Sequence, residues 1–170
     1  MRKRNLKRNG AGGSMRLANS VAAAVFGLDQ LTKYLVVHGL GLARVLTIDV
    51  APPWLSFRMA WNQGVNFGLF SSEAEVSRWV LIALALAVSG WVWLWVRRDA
   101  PGAPVQVAAG LLIGGALGNV FDRMIYGAVA DFLNMSCCGI ANPYAFNVAD
   151  VAIFAGAFGL VLVSGRAKTR

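Results

Sequence analysis

The chain has 170 residues, 57% of them hydrophobic and 14% charged, with a mean hydropathy of +0.57. A soluble domain of this size carries about 25% charged residues, so the composition excludes an ordinary soluble domain and points to a membrane protein. The net charge is +8, yet the basic residues cluster beside apolar runs, which fits the positive-inside pattern of membrane proteins rather than a nucleic-acid surface.

Residues 1–16 form a basic arm with Arg2, Lys3, Arg4, Lys7, Arg8 and Arg16, loosened by Gly10, Gly12 and Gly13. Met15 is a second candidate start. The first apolar run, about 17–40, is too long for a signal-peptide core and is interrupted by Asp29, Gln30 and Lys33, so it reads as a retained helix. Further runs at about 76–96, 105–125 and 144–164 each reach the roughly 20 residues a span requires. The expected fold is an all-α polytopic membrane protein with four transmembrane helices and a small outer β-sheet. Residues 17–165 form a single domain, and 166–170 a basic tail. Gly110, Gly114, Gly115 and Gly118 let the third helix approach its neighbours closely.

Loop charge sets the orientation. The N-terminal arm, the Arg97-Arg98 turn and the Arg166–Arg170 tail are basic and stay inside, so 41–75 and 126–143 face outward. Between 41 and 72 the pattern changes. Leu55, Phe57, Met59 and Trp61 alternate with Ser56, Arg58, Ala60 and Asn62, which predicts a strand. Asn62-Gln63-Gly64 reads as a turn, 65–70 as a returning strand and 45–50 as a possible third. Ser71 or Ser72 with Glu75 resembles a helix N-cap. Cys137 and Cys138 are adjacent, fit no zinc spacing and read as two free thiols in an outer loop.

Four of the eight acids, Asp29, Asp122, Asp131 and Asp150, lie in or beside apolar runs, where a charge is costly and calls for a reason. Asp29 and Lys33 share a helix face and can pair, either as a packing ion pair or in direct support of chemistry. Asn119 and Asp122 share a face of the third helix, and Asp122 with Arg123 can anchor its outer end. Asp131 lies in an outer connection, and Asp150 near the start of the fourth helix with Asn147 one turn before it. If Asp131 and Asp150 meet, repulsion and burial split their proton affinities, as acid–base work on an amide requires. A proton relay and a structural polar cluster are the alternatives. His38, the only histidine, has no acid or serine partner in sequence and reads as an interface residue. No metal site and no cofactor are expected.

Five segments in order resemble the lipoprotein signal peptidase (signal peptidase II) family. They are Asp29-Gln30-Leu31-Thr32-Lys33, Asn62-Gln63-Gly64-Val65-Asn66-Phe67-Gly68, Gly114 to Arg123, Val129-Ala130-Asp131-Phe132, and Phe146-Asn147-Val148-Ala149-Asp150. Asn66 departs from the small residue more usual there. The resemblance implies an aspartic endopeptidase of the bacterial inner membrane, multi-pass, with both termini cytoplasmic and the active site facing the periplasm. Its substrates would be diacylglyceryl-modified prolipoproteins, cut just before the lipidated cysteine. Asp131 and Asp150 would be catalytic. Asp29, Lys33, Asn62, Gly64, Asn119, Asp122, Arg123 and Asn147 would bind substrate or brace the site. A monomer in contact with membrane lipid, inhibited by globomycin-type peptides, is also implied. The main rival is a small proton or ion carrier using the buried carboxylates.

Overall fold

The computed structural model describes residues 15–64, 71–99, 101–137, 139 and 142–167. Apolar runs of about 20 residues become helices because a helix satisfies its own backbone hydrogen bonds where no water can. Helix α1 spans Arg16–Lys33 and continues as a π-helical turn, Tyr34–Gly39, before a short α2, Leu42–Val45. Helix α3 spans Ser71–Asp99, α4 Ala103–Tyr126 and α5 Val148–Ala167. Three stretches are long and apolar enough to cross a membrane: Arg16–Gly39, Glu75–Asp99 and Ala103–Tyr126. Val148–Val163 is a shorter apolar helix among the described residues. Of the four spans expected, three are therefore long and apolar enough to cross a membrane among the described residues.

Helix α4 is the centre, packed on α1, α3 and α5. Its glycines make this possible. A Cβ on Gly110 would lie 2.7 Å from the Ala18 carbonyl oxygen of α1, and one on Gly115 would collide with the Ala149 carbonyl of α5. Gly156 of α5 meets the Leu112 and Ala108 backbone in return. Val92, Val96, Val105, Ala109, Leu112 and Ile113 fill the core at the end of the bundle away from the sheet.

The sheet is antiparallel in the order β1–β2–β3, with β1 Thr47–Ala51, β2 Leu55–Asn62 and β3 Val129–Met135. The alternating 55–62 stretch is a strand as expected, and 45–50 contributes β1 from Thr47. The expected return strand at 65–70 lies outside the described residues. The third strand is instead β3, in the stretch read as a connection. Phe57 and Phe132 meet edge to face at 5.9 Å and, with Val36 and Leu42, form a second core under the sheet. Cys137 is disulfide-bonded, not the free thiol expected.

Candidate active site

Two acid clusters form where the sheet meets the bundle. The first joins α1 to α4. Lys33 Nζ lies 2.7 Å from Asp29 Oδ2 and 2.7 Å from Asp122 Oδ2. Both carboxylates are fully buried, and Lys33 is 5% exposed, so each charge depends on the others for its solvation. Gln30 Nε2 donates to Asp29 Oδ2 at 3.1 Å and to Asp122 Oδ1 at 2.9 Å. The lysine occupies the space between two carboxylates where a cation belongs.

Each of these carboxylates also holds a backbone amide. Asp122 Oδ2 accepts from Ala130 N at 3.1 Å, and Asp29 Oδ1 from Ala149 N at 2.9 Å. Ala130 and Ala149 immediately precede Asp131 and Asp150. Both alanines are buried, and their small side chains admit the carboxylates. One lysine thus ties together the supports of two separate acids. Asp122 pairs with Lys33, and no ion pair to Arg123 forms among the described residues. Consecutive helical residues point in directions too different to share a face, so Asp122 turns to α1 while Arg123 turns elsewhere.

The second cluster contains Asp131 of β3 and Asp150 in the first turn of α5. Asn147 caps α5: its Oδ1 accepts from Asp150 N at 2.8 Å, and Asp150 Oδ2 accepts from Asn147 N at 3.2 Å, a reciprocal capping box. The backbone N–H fixes the amide's orientation, so Nδ2 is left to donate to Asp131 Oδ1 at 2.6 Å. Asn62 Nδ2 donates to Asp131 Oδ2 at 3.1 Å, while its Oδ1 accepts from Gly64 N at 3.0 Å and closes the turn after β2. Asn119 Nδ2 donates to Asp150 Oδ1 at 2.9 Å, and Asn119 Oδ1 accepts from Asn147 Nδ2 at 3.3 Å and from Lys33 Nζ at 3.5 Å.

Asp131 is 3% exposed. Burial, then the charge of Asp150, pushes its carboxyl from 3.8 up to about 6; the amides of Asn62 and Asn147, and then the charge of Lys33, oppose the rise. Arg123 stands within electrostatic reach of Asp131 and Asp150. Its Nη1 donates to the Asn119 carbonyl at 3.3 Å, and its buried Nε has no partner among the described residues.

The sequence-expected residues converge here, with the exception of Gly64. Gly64 contributes a backbone turn at φ +95°, pressed against Leu81 and Ser77 of α3, and touches neither acid. His38, expected to stand outside the site, meets the rings of Tyr34 and Tyr126 at tilted angles. Sequence reasoning gave no role to Gln30, and none to Asn134. The latter is buried, and its Nδ2 donates at 2.8 Å to the carbonyls of both Asn142 and Tyr144. Phe146 then pairs with Leu133, which lays the chain beside β3 and delivers Asn147 to Asp131. A polar residue inside the apolar run Phe132-Leu133-Asn134-Met135 was the available signal.

Fold and site together define a helical membrane protein with an acid-rich polar centre at one end of its bundle. The Peptidase_A8 family, Signal peptidase (SPase) II, matches residues 21–165. The lipoprotein signal peptidase of Methylorubrum extorquens (strain PA1) is 43% identical over 147 residues, 86% of this chain and 84% of that protein. That of Methylobacterium radiotolerans is 45% identical over 137 residues, 81% of this chain and 78% of that protein. A solved bacterial membrane enzyme at 1.9 Å resolution superposes with TM-score 0.72 at 25% identity, covering 89% of this chain and 94% of the other. The chain belongs to the signal peptidase II family and is a peptidase.

Proposed function

We propose that this peptidase removes the signal peptide from diacylglyceryl-modified prolipoproteins, cutting just before the lipidated cysteine, with Asp131 and Asp150 as its catalytic pair. The supporting observation is that one residue, Asn147, hydrogen-bonds both carboxylates, which arrive from different elements at the same end of an apolar bundle. In this reading α5 is the fourth span, the sheet end faces the periplasm, and both termini are cytoplasmic. The substrate's lipid stays in the bilayer while its scissile amide enters the polar centre.

Asp150, ionised, takes a proton from water as the water oxygen bonds to the scissile carbonyl carbon. Asp131 gives its proton to the carbonyl oxygen. The raised affinity of Asp131 for a proton supports this division of roles. Collapse of the tetrahedral intermediate breaks the C–N bond. The proton held by Asp150 passes to the leaving nitrogen of the lipidated cysteine, and the carbonyl is restored as Asp131 recovers its own proton. Arg123, with its unpartnered Nε beside the pair, is placed to hold a substrate carbonyl. Asn62 and Asn119 orient the two acids, and Asp29, Lys33 and Asp122 hold the backbone beneath them.

A proton or ion carrier would spread its acids through the depth of the bilayer. Here the buried acids interlock at one end. Incubation of the purified full chain with lipidated and unlipidated precursor tests the proposal. Cleavage of the lipidated form alone, just before its cysteine, is expected; equal cleavage of both would overturn the lipid requirement.

A further inference from the structure

The ladder between β2 and β3 ends two residues from Asp131: Ala60 pairs with Asp131, Trp61 with Ala130 and Asn62 with Val129. Side chains two apart on a strand share a face, so Asn62 stands on the face of Ala60 and Asp131 and reaches Asp131 diagonally. That reach is the 3.1 Å donation from Asn62 Nδ2 to Asp131 Oδ2. A diagonal bond at the last rung depends on both chain ends, and unsupported ends fray.

One stretch of α3 meets both chain ends. The chain leaving β2 turns at Gly64, where a Cβ would lie 2.6 Å from Leu81 Cδ1 and 2.9 Å from Ser77 Oγ, so this backbone is seated directly on α3. The chain entering β3 comes from the end of α4, through Gly127 at φ +79°. The last carbonyls of a helix have no partner within it. Here Gly127 N donates to the Arg123 carbonyl at 3.1 Å, and Arg78 Nη2 of α3 donates to the Met124 carbonyl at 3.1 Å. A Cβ on Gly127 would stand 3.8 Å from Arg78 Nη1, in ordinary contact. The dipole of α4 favours a cation at this end. Trp79 steadies the guanidinium, with Arg78 Cζ 5.2 Å from its ring centre. Ser77 and Arg78 are neighbours in one helix, so α3 fixes the spacing between the two chain ends.

We propose that Arg78 is a positioning residue for the peptidase reaction: with the seat formed by Ser77 and Leu81 it clamps the open end of the β2–β3 ladder and so holds the Asn62 amide on Asp131. The inference rests on the catalytic role proposed for Asp131. Among the described residues no hydrogen bond or ion pair joins Arg78 to either acid of the pair, so it acts through Asn62. The Asn62 amide opposes the rise in the proton affinity of Asp131, and a loosened amide lets that carboxyl keep its proton to higher pH. The charged groups bearing on Asp131 are Asp150 of α5, Lys33 of α1 and Arg123 of α4.

The test titrates Asp131 in the purified full chain in detergent micelles, through the carbon-13 resonance of its carboxyl, and measures kcat and KM with lipidated precursor. Arg78→Met should move the Asp131 titration to higher pH and lower kcat about tenfold with KM unchanged, as suits a misplaced acid rather than lost binding. Arg97→Met is the control. Its guanidinium lies 5.2 Å from the Trp93 ring centre near the other end of the same helix, and its loss should leave the titration in place. On an Asn62→Ala background, Arg78→Met should move the titration no further. Arg78→Lys keeps the charge without the planar fork; it should move the titration the same way by less, and it carries the test if Arg78→Met does not fold. An unmoved titration in the folded variant would overturn the proposal. So would a shift of equal size on the Asn62→Ala background, or from Arg97→Met. The titration needs no substrate, so its outcome is separate from that of the proposed cleavage.

Discussion

Asp29 and Asp122 share an ammonium, whereas Asp131 and Asp150 are bridged by Asn147, the first through its side-chain Nδ2 and the second through its backbone N–H. The four acids sit in one polar centre, but their partners differ. Lys33 touches the first two at 2.7 Å and locks them into backbone support. The second two are held by Asn62, Asn119 and Asn147, which orient a carboxylate without cancelling its charge. The contacting ammonium of Lys33 offsets charge in the first pair. Amide donors with burial leave Asp131 free to keep a proton. Under the proposed reaction, the difference separates a structural role from a chemical one within a single residue type.

The largest expected effect falls on the amide-held pair. Asp131→Asn or Asp150→Asn should reduce cleavage of a lipidated precursor by a factor on the order of 10³ or more, as when a group essential to proton transfer is lost. Unfolding of these variants in detergent should stay cooperative. Lys33→Met should show the reverse emphasis. It strands two buried carboxylates and should destabilise by about 3–5 kcal/mol, read as a fall in thermal unfolding temperature, with activity lost alongside. A Lys33→Met protein as stable as the parent would erase the distinction between the clusters.

Asn147→Ala should be intermediate. It removes the cap of α5, at about 1 kcal/mol, and frees Asp131, so kcat should fall roughly 10²-fold from misplacement of the acid. The pH dependence should be gentler still. Burial and Asp150 push Asp131 from the ordinary 3.8 up to about 6, so native protein holds a proton between these values that unfolded chain releases. This contribution to stability is full below about 3.8 and is lost as pH rises through about 6, a change on the order of 3 kcal/mol that Asp131→Asn should abolish. For the same reason kcat/KM should decline on the alkaline side of about 6 as the free enzyme loses the donor proton.

The helices were legible because apolar run length and loop charge act locally. Strand β2 was legible because one of its faces is more polar than the other. Strand β3 was not, since Val129 to Phe132 are all buried and buried strands show no alternation. The Asp29–Lys33 pair follows from helical spacing, but the second bond of Lys33, to Asp122 far along the chain, depends on how α1 packs against α4. The reciprocal cap between Asn147 and Asp150 was visible as a three-residue spacing, although its donation to Asp131 required Asn134 to fold the 142–146 segment beside β3. The π-helical turn at Tyr34–Gly39 has no sequence signature that was recognised.

The most direct measurement is mass spectrometry of a lipidated precursor after incubation with purified parent, Asp131→Asn and Asp150→Asn proteins, each shown to be folded by its unfolding temperature. The account predicts a product beginning at the lipidated cysteine with the parent protein and none with either variant. The same product from either folded variant would contradict it.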